Sequence, residues 1–163
     1  MQADEQLREN AEQYAIIAGC KLVANPDLGH GTDGHVWRSN RGTAIKAFYA
    51  TKNFEDELEC YCRLKEKNIS EILGLAVPTH EGHSEEFLTI EMSIVQRPYL
   101  LDFGKVYIDH YPPYLNDPQL MQNWHEEVRE LFDENTAKVH AVLRYLRRLG
   151  IHYVDPKPAN IRF

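Results

Sequence analysis

Apolar residues recur at helical spacing in three stretches of the chain and gather into short β-rich runs between them. Leu7, Ala11, Tyr14 and Ala18 fall on one face of a Glu- and Gln-rich segment, which predicts a helix over residues 3–18 ending near Gly19. Residues 21–28, 35–38 and 43–49 read as strands, the second and third separated by the turn-forming Ser39-Asn40-Arg41-Gly42. Loops this short cannot hold a crossover helix, so the three strands are antiparallel neighbours. Phe54, Leu58, Tyr61 and Leu64 mark a helix over residues 53–68, with Asn53 the expected N-cap and acids clustered at its start. Short strands follow at 75–79 and 87–92, joined by the turn-rich Glu81-Gly82-His83-Ser84, and residues 96–116 are irregular. Val128, Leu131, Phe132, Val139, Val142, Leu143 and Leu146 then trace a helical region over 118–149, capped by Asp117, broken near Asn135 and stopped at Gly150. The pattern predicts an α+β fold: a five-stranded antiparallel sheet with one packed helix, followed by a mostly helical part. The expected division is a helical extension at 1–19, a sheet-bearing lobe at 20–95 and a partial helical lobe at 96–163.

Composition narrows the function classes. The 163 residues are 43% hydrophobic, enough for one real core. A formal net charge of −7 argues against nucleic acid or an anionic membrane as partner. No apolar run approaches the ~18 residues of a membrane span, and the acidic N-terminus lacks the features of a signal peptide. Three cysteines, with Cys60 and Cys62 two apart, fit reduced thiols and a cytoplasmic setting better than a disulfide framework. Neither those cysteines nor the pairs His80/His83 and His30/His35 have metal-ligand spacing.

Three groups carry candidate chemistry. Gly29, Gly31 and Gly34 stand at G-x-G-x-x-G spacing and are followed by Val36. Such glycines let backbone N–H groups approach phosphate oxygens, although an ordinary glycine-rich hairpin turn fits the same pattern. The loop leads into a strand and no βαβ unit surrounds it, which weighs against a dinucleotide fingerprint, and the chain has no G-x-x-x-x-G-K-[ST] loop. Lys46 lies in the third strand after Ala44 and Ile45. Glu57 shares a helix face with Phe54, Tyr61 and Leu64 and so points at the sheet, where it can hold an inward ammonium against α- and β-phosphates. Asp155-Pro156-Lys157-Pro158-Ala159-Asn160 then offers a carboxylate to orient a hydroxyl, an ammonium for a transferring phosphate and an amide oxygen for Mg2+.

In this order the residues resemble the eukaryotic-like protein kinase superfamily over about residues 22–163. Gly29–Val36 resembles its glycine loop and Ala44-Ile45-Lys46 its V-A-I-K strand. Glu57 is similar to its helix glutamate, and Asp155–Asn160 to D-x-K-P-x-N of its catalytic loop. Residues 87–92 look like the strand entering the hinge, with Ile90 as gatekeeper and Glu91 and Met92 beside the nucleotide. The resemblance implies a kinase-like fold with ATP and Mg2+ as cofactors. It assigns nucleotide contact to Gly29, Gly31, Gly34, Val36, Ala44, Lys46, Glu57, Ile90, Glu91 and Met92, catalysis to Asp155, Lys157 and Lys46, and metal binding to Asn160.

The departures are specific. The family's H-R-D reads Tyr153-Val154-Asp155, with His152 one place early and the arginine absent. No D-F-G follows Asn160 in the three residues that remain, which implies a truncated second lobe. Asp102-Phe103-Gly104 spells the tripeptide, but ahead of the catalytic loop, where it is expected to open the next helical segment rather than bind metal. Two functions follow from the resemblance: a transferase moving phosphate from Mg·ATP to an unknown acceptor, of Ser/Thr type, or a truncated pseudokinase acting through protein contacts. A third alternative is a piece of a longer kinase. For transfer, a carboxylate from elsewhere in the chain, Asp102 included, or from a partner could supply the second metal ligand. Leu120, Trp124, Leu131, Phe132 and Tyr145 spread over more than one helix face, which predicts self-association or a protein partner.

Overall fold

A computed structural model describes residues 2–163, the side chains of residues 2 and 25–27 excepted. In chain order the first elements are α1 (Gln2–Ile17), β1 (Leu22–His30), β2 (Gly34–Ser39), β3 (Thr43–Phe48), α2 (Thr51–Glu66), β4 (Glu71–Ile72), β5 (Leu75–Ala76), β6 (His80–Ser84) and β7 (Thr89–Ser93). After them come β8 (Tyr99–Leu100), β9 (Val106–Ile108), α3 (Pro118–Phe132), α4 (Thr136–Arg148), β10 (Ile151–Tyr153) and β11 (Ile161–Arg162). The class is α+β with antiparallel pairing dominant.

The largest sheet has the order β1-β2-β3-β7-β6, with every neighbour antiparallel. Strand β3 is buried on both faces, and its alternation decides what each face does. Ala44 and Phe48 join Phe54, Tyr61 and Leu64 of α2 in one core, which continues through α3 and α4 to Ile161. Ile45 and Ala47 join Trp37 and the α1 residues Leu7, Ala11, Tyr14 and Ala15 in a second core on the opposite face. The N-terminal helix therefore closes the back of the sheet.

Several expectations are corrected. The predicted single sheet with a mostly helical remainder is instead, among the described residues, eleven strands in three sheets. Strands β4, β5, β8 and β11 form a small four-stranded sheet, and β9 pairs with β10. The segment 81–84, read as a turn, belongs to strand β6. As an edge strand it pairs on one side only and keeps polar, half-exposed side chains, so it shows no apolar alternation. Helix α2 begins at Thr51 after Ala50, which makes no side-chain cap; Asn53 lies inside the first turn and its amide is used elsewhere. Asp117 does cap α3, accepting from the backbone N–H of Gln119 at 2.8 Å and of Leu120 at 3.2 Å. Of the helical residues expected to leave apolar surface, Phe132 is buried and Trp124 and Tyr145 pack on the core, while Leu120 and Leu131 are 44% and 40% exposed. Cys20 and Cys60 are buried and Cys62 half-buried, all as free thiols. Among the described residues no helix is long and apolar enough to cross a membrane.

Two short ladders hold the turn at 101–105 and the loop at 154–160 face to face, because the flanks of both segments are paired. Ile161 is opposite Leu100, and Tyr153 is opposite Val106. Leu101 N–H also donates to the Asn160 carbonyl at 2.7 Å.

Candidate functional site

A cavity of about 630 Å³ opens between the five-stranded sheet and the paired segments 99–108 and 151–162. Its roof is the hairpin of β1 and β2. Gly29 has φ 154°, and Gly34 passes so close to β3 that an added Cβ would collide with the Ala47 carbonyl. Gly31 N–H donates to the Gly34 carbonyl at 2.9 Å, closing the tip. Gly34→Ala is expected to lower stability by about 2–3 kcal/mol through this backbone clash. Urea denaturation reads the change, and an unshifted midpoint would show that β2 is free to move away.

Lys46 projects from the α2 side of β3 and is 8% exposed. Its ammonium donates to Glu57 Oε2 at 2.6 Å and to Asp102 Oδ1 at 2.9 Å. Burial opposes the Lys46 charge, but Glu57 and Asp102 together outweigh it and raise the pKa. Burial pushes the Glu57 carboxyl up to about 7, partly offset by Lys46. For Asp102 burial acts in the same upward direction, yet Lys46 and the Gly104 N–H hold the carboxyl below its usual range. The pair is arranged so that one carboxylate is deep and the other, Asp102, is 40% exposed toward the cavity.

Asp102-Phe103-Gly104 does not open a helix. Asp102 has φ 59° and sits in the turn between β8 and β9. Phe103 is fully buried and meets Tyr61 and Tyr153 edge-on at 5.4 and 5.9 Å between centroids. Gly104 N–H donates to Asp102 Oδ1 at 3.2 Å, and the Gly104 carbonyl accepts from the Asn53 amide at 3.1 Å. Asn53 also donates to Asp33 Oδ1 at 2.8 Å, so helix α2 ties the hairpin tip to the turn. This is the work that withdraws Asn53 from capping.

The facing loop brings Asp155, Lys157 and Asn160 to the floor of the cavity. Lys157 Nζ lies 3.0 Å from Asp155 Oδ2. Tyr153 Oη donates to the Leu101 carbonyl at 3.1 Å and is hydrogen-bonded to the Asn160 side chain, locking turn and loop together. Trp124 of α3 steadies the loop from behind, its indole N–H donating to the Val154 carbonyl at 2.8 Å.

Of the residues singled out in the sequence, Gly29, Gly31, Gly34, Val36, Ala44, Lys46, Glu57, Met92, Asp155, Lys157 and Asn160 all line the cavity. Ile90 is fully buried behind the wall and is absent from that lining. The Glu91 side chain points to the other face of the sheet, because it stands opposite Ile45 and not opposite Lys46. There it accepts from Tyr14 Oη at 2.9 Å, from Arg41 Nη2 at 2.8 Å and from Thr43 Oγ1. Burial opposes its charge, but the Thr43, Arg41 and Tyr14 hydrogen bonds keep its pKa lowered. The wall beyond Met92 is made instead by Ser93, Ile94 and Val95. Tyr153, noted in the sequence only as standing in for the H-R-D histidine, also lines the cavity, as do Asp33 and Lys105, which carried no signal there. Asp102 did carry one, its tripeptide, in an unexpected place.

Among the described residues no group of three or more His, Cys, Asp or Glu is arranged to hold a metal ion. Asp102 and Asn160 offer one carboxylate and one amide beside the cavity. That donor set fits an ion completed by phosphate oxygens and water, the usual way Mg2+ is held. No family model matches the chain, and no curated protein matches it in sequence.

Proposed function

We propose that the chain binds Mg·ATP in this cavity and transfers the terminal phosphoryl group to a hydroxyl acceptor, in the manner of the eukaryotic-like protein kinases that its sequence resembles. The observation that carries the reading is Lys46 held by Glu57 at 2.6 Å with Asp102 at 2.9 Å, facing Asp155 and Asn160 across one cavity. In that chemistry a strand lysine paired with a helix glutamate holds the α- and β-phosphates, and a D-F-G aspartate with a loop asparagine holds the metal. Residues of the four matching types border one cavity here, which supports the reading, although the D-F-G precedes the catalytic loop in the chain.

The glycine hairpin covers the phosphates with backbone N–H groups, and Met92 to Val95 border the space left for a base. Asp155 accepts the proton of the acceptor hydroxyl as its oxygen attacks the γ-phosphorus. The bond from that phosphorus to the β–γ bridging oxygen breaks, and ADP departs with the electron pair. Lys157 offsets charge on the transferring group. Asp102 and Asn160 would hold Mg2+, which would supply positive charge against the phosphate oxygens.

A second reading, nucleotide binding without transfer, is favoured by one feature: Asp102 is already hydrogen-bonded to Lys46 and to the Gly104 N–H. On that reading the protein is a pseudokinase acting through contacts with a second copy or a protein partner, to which Leu120 and Leu131 of α3 would contribute. One experiment separates the readings. At about 100 times its Kd, Mg·ATP is expected to raise Tm by about 5–10 °C, and phosphate should move from γ-labelled ATP to an acceptor or to water. A shift without any phosphate movement supports the binding-only reading, and no shift at all defeats both.

A further inference from the structure

Two ammonium groups converge on the same oxygen of Asp155: Lys157 Nζ at 3.0 Å and Lys105 Nζ at 3.4 Å. Lys157 belongs to the catalytic loop. Lys105 reaches in from the opposing turn, directly after Gly104, and has no part in the transfer scheme built on the kinase resemblance. One carboxylate balances one cation, and the other acids of the cavity are engaged elsewhere. Glu57 and Asp102 bind Lys46, and Asp33 accepts from Asn53. Glu127 of α3 acts on Lys157 from farther off. Among the described residues Asp155 is the carboxylate within ion-pair distance of Lys105, and Lys105 acts on Asp102 only from farther off.

That pairing is weak. A separation of 3.4 Å exceeds a well-formed N–H···O hydrogen bond, and the Lys105 side chain is 45% exposed, so solvent screens it further. The root of the side chain, by contrast, is fixed. Gly104 is bound through its N–H to Asp102 and through its carbonyl to Asn53, and its missing Cβ is what admits Asp33, whose Oδ2 would lie 2.8 Å from one. A loosely held ammonium on a rigid root, pointed at the catalytic carboxylate, suits a group that exchanges one anion for another.

We propose that Lys105 is a phosphate-binding residue, taking the terminal phosphate of the nucleotide from the side opposite Lys157. On binding, Lys105 leaves Asp155 for a phosphate that carries more charge than a carboxylate, and Asp155 is freed to accept the acceptor's proton. This rests on the nucleotide reading of the cavity, and the test keeps the two apart.

Calorimetric titration of the full chain with Mg·ADP and with the non-hydrolysed Mg·AMP-PNP compares wild type, Lys105→Met, Lys105→Arg and Lys138→Met. Lys138 lies on α4, over the Phe163 ring, and does not line the cavity, so its replacement controls for loss of net charge. Loss of one charge-assisted contact is expected to weaken the triphosphate analogue about tenfold in Lys105→Met. ADP binding should change less than twofold, Lys105→Arg should recover part of the loss, and Lys138→Met should match wild type. Wild type binding both nucleotides, with Lys105→Met weakening neither or both equally, overturns the role of Lys105. Wild type binding neither nucleotide overturns the nucleotide reading first. A far-UV spectrum and melting curve matching wild type establish that the exposed Lys105 has been changed without unfolding.

Discussion

Lys46→Met is expected to cost the fold about 3 kcal/mol at pH 8 and much less at pH 5. Methionine keeps most of the volume of the lysine stem, so the loss is one of charge. It leaves Glu57, 1% exposed, as an anion without its ammonium. Glu57 already has a folded pKa raised to about 7 from an ordinary 4.5, with burial the main cause. A carboxyl whose folded pKa is raised adds stability that is fully present below the unfolded value and is lost as pH rises through the folded one. In wild type that loss falls between about pH 4.5 and 7. Without Lys46 the folded pKa rises further and the loss extends to higher pH, so variant and wild type diverge most at pH 8, and at pH 5 the remaining cost is the lost contact with the partly solvated Asp102. Urea denaturation of both proteins at pH 5, 6.5 and 8 measures this. An equal cost at all three would mean that packing, not the stranded carboxylate, is responsible. The same variant should show no thermal shift with Mg·ATP.

The second large effect concerns Asp102. Asp102→Asn retains an oxygen to accept from Lys46 and from the Gly104 N–H, so the melting temperature should fall by no more than a few degrees. If Asp102 holds Mg2+ as proposed above, removing its carboxylate is expected to lower the phosphoryl-transfer rate by about 100-fold or more. Initial rates against Mg2+ and Mn2+ concentration provide the readout. A variant with wild-type rate and metal dependence would show that the tripeptide at 102–104 is structural only. Asp102 and Asn160 are fixed relative to each other by Leu101 N–H donating to the Asn160 carbonyl, so a change of side chain need not displace the loop.

How much of the molecule is readable without the structure depends on what kind of signal each residue leaves. Lys46 stands out only through the Ala44-Ile45-Lys46 resemblance, since β3 is buried on both faces and parity chooses neither, whereas Glu57 is legible because Phe54, Tyr61 and Leu64 fix its face of α2. Helices α3 and α4 are legible for the same reason, with Asp117 and the break at 133–135 marking their ends. Strands of two or three residues, such as β8, β9 and β11, are too short to show any alternation, and the small sheets they build leave no trace in the pattern. Without them nothing in the sequence brings Asp102 to Lys46, and the order of the motifs argues against it. Glu91 is misplaced by the resemblance although parity is available: it stands opposite Ile45, and its partners Tyr14, Arg41 and Thr43 come from three separate elements. Asn53 has the right chemistry for an N-cap, and only the nearness of Asp33 and Gly104 shows why it is not one.

The paired flanks of the turn and the loop have a wider consequence. Ile108 is opposite Ile151, and Asp109 N–H donates to the Gly150 carbonyl at 2.8 Å, so the segment that carries both helices leaves and re-enters at adjacent points. Geometrically that segment is an excursion, and the site does not record which of its two halves the chain visited first. The two halves are like facing pages whose alignment is set by the binding, not by the page numbers.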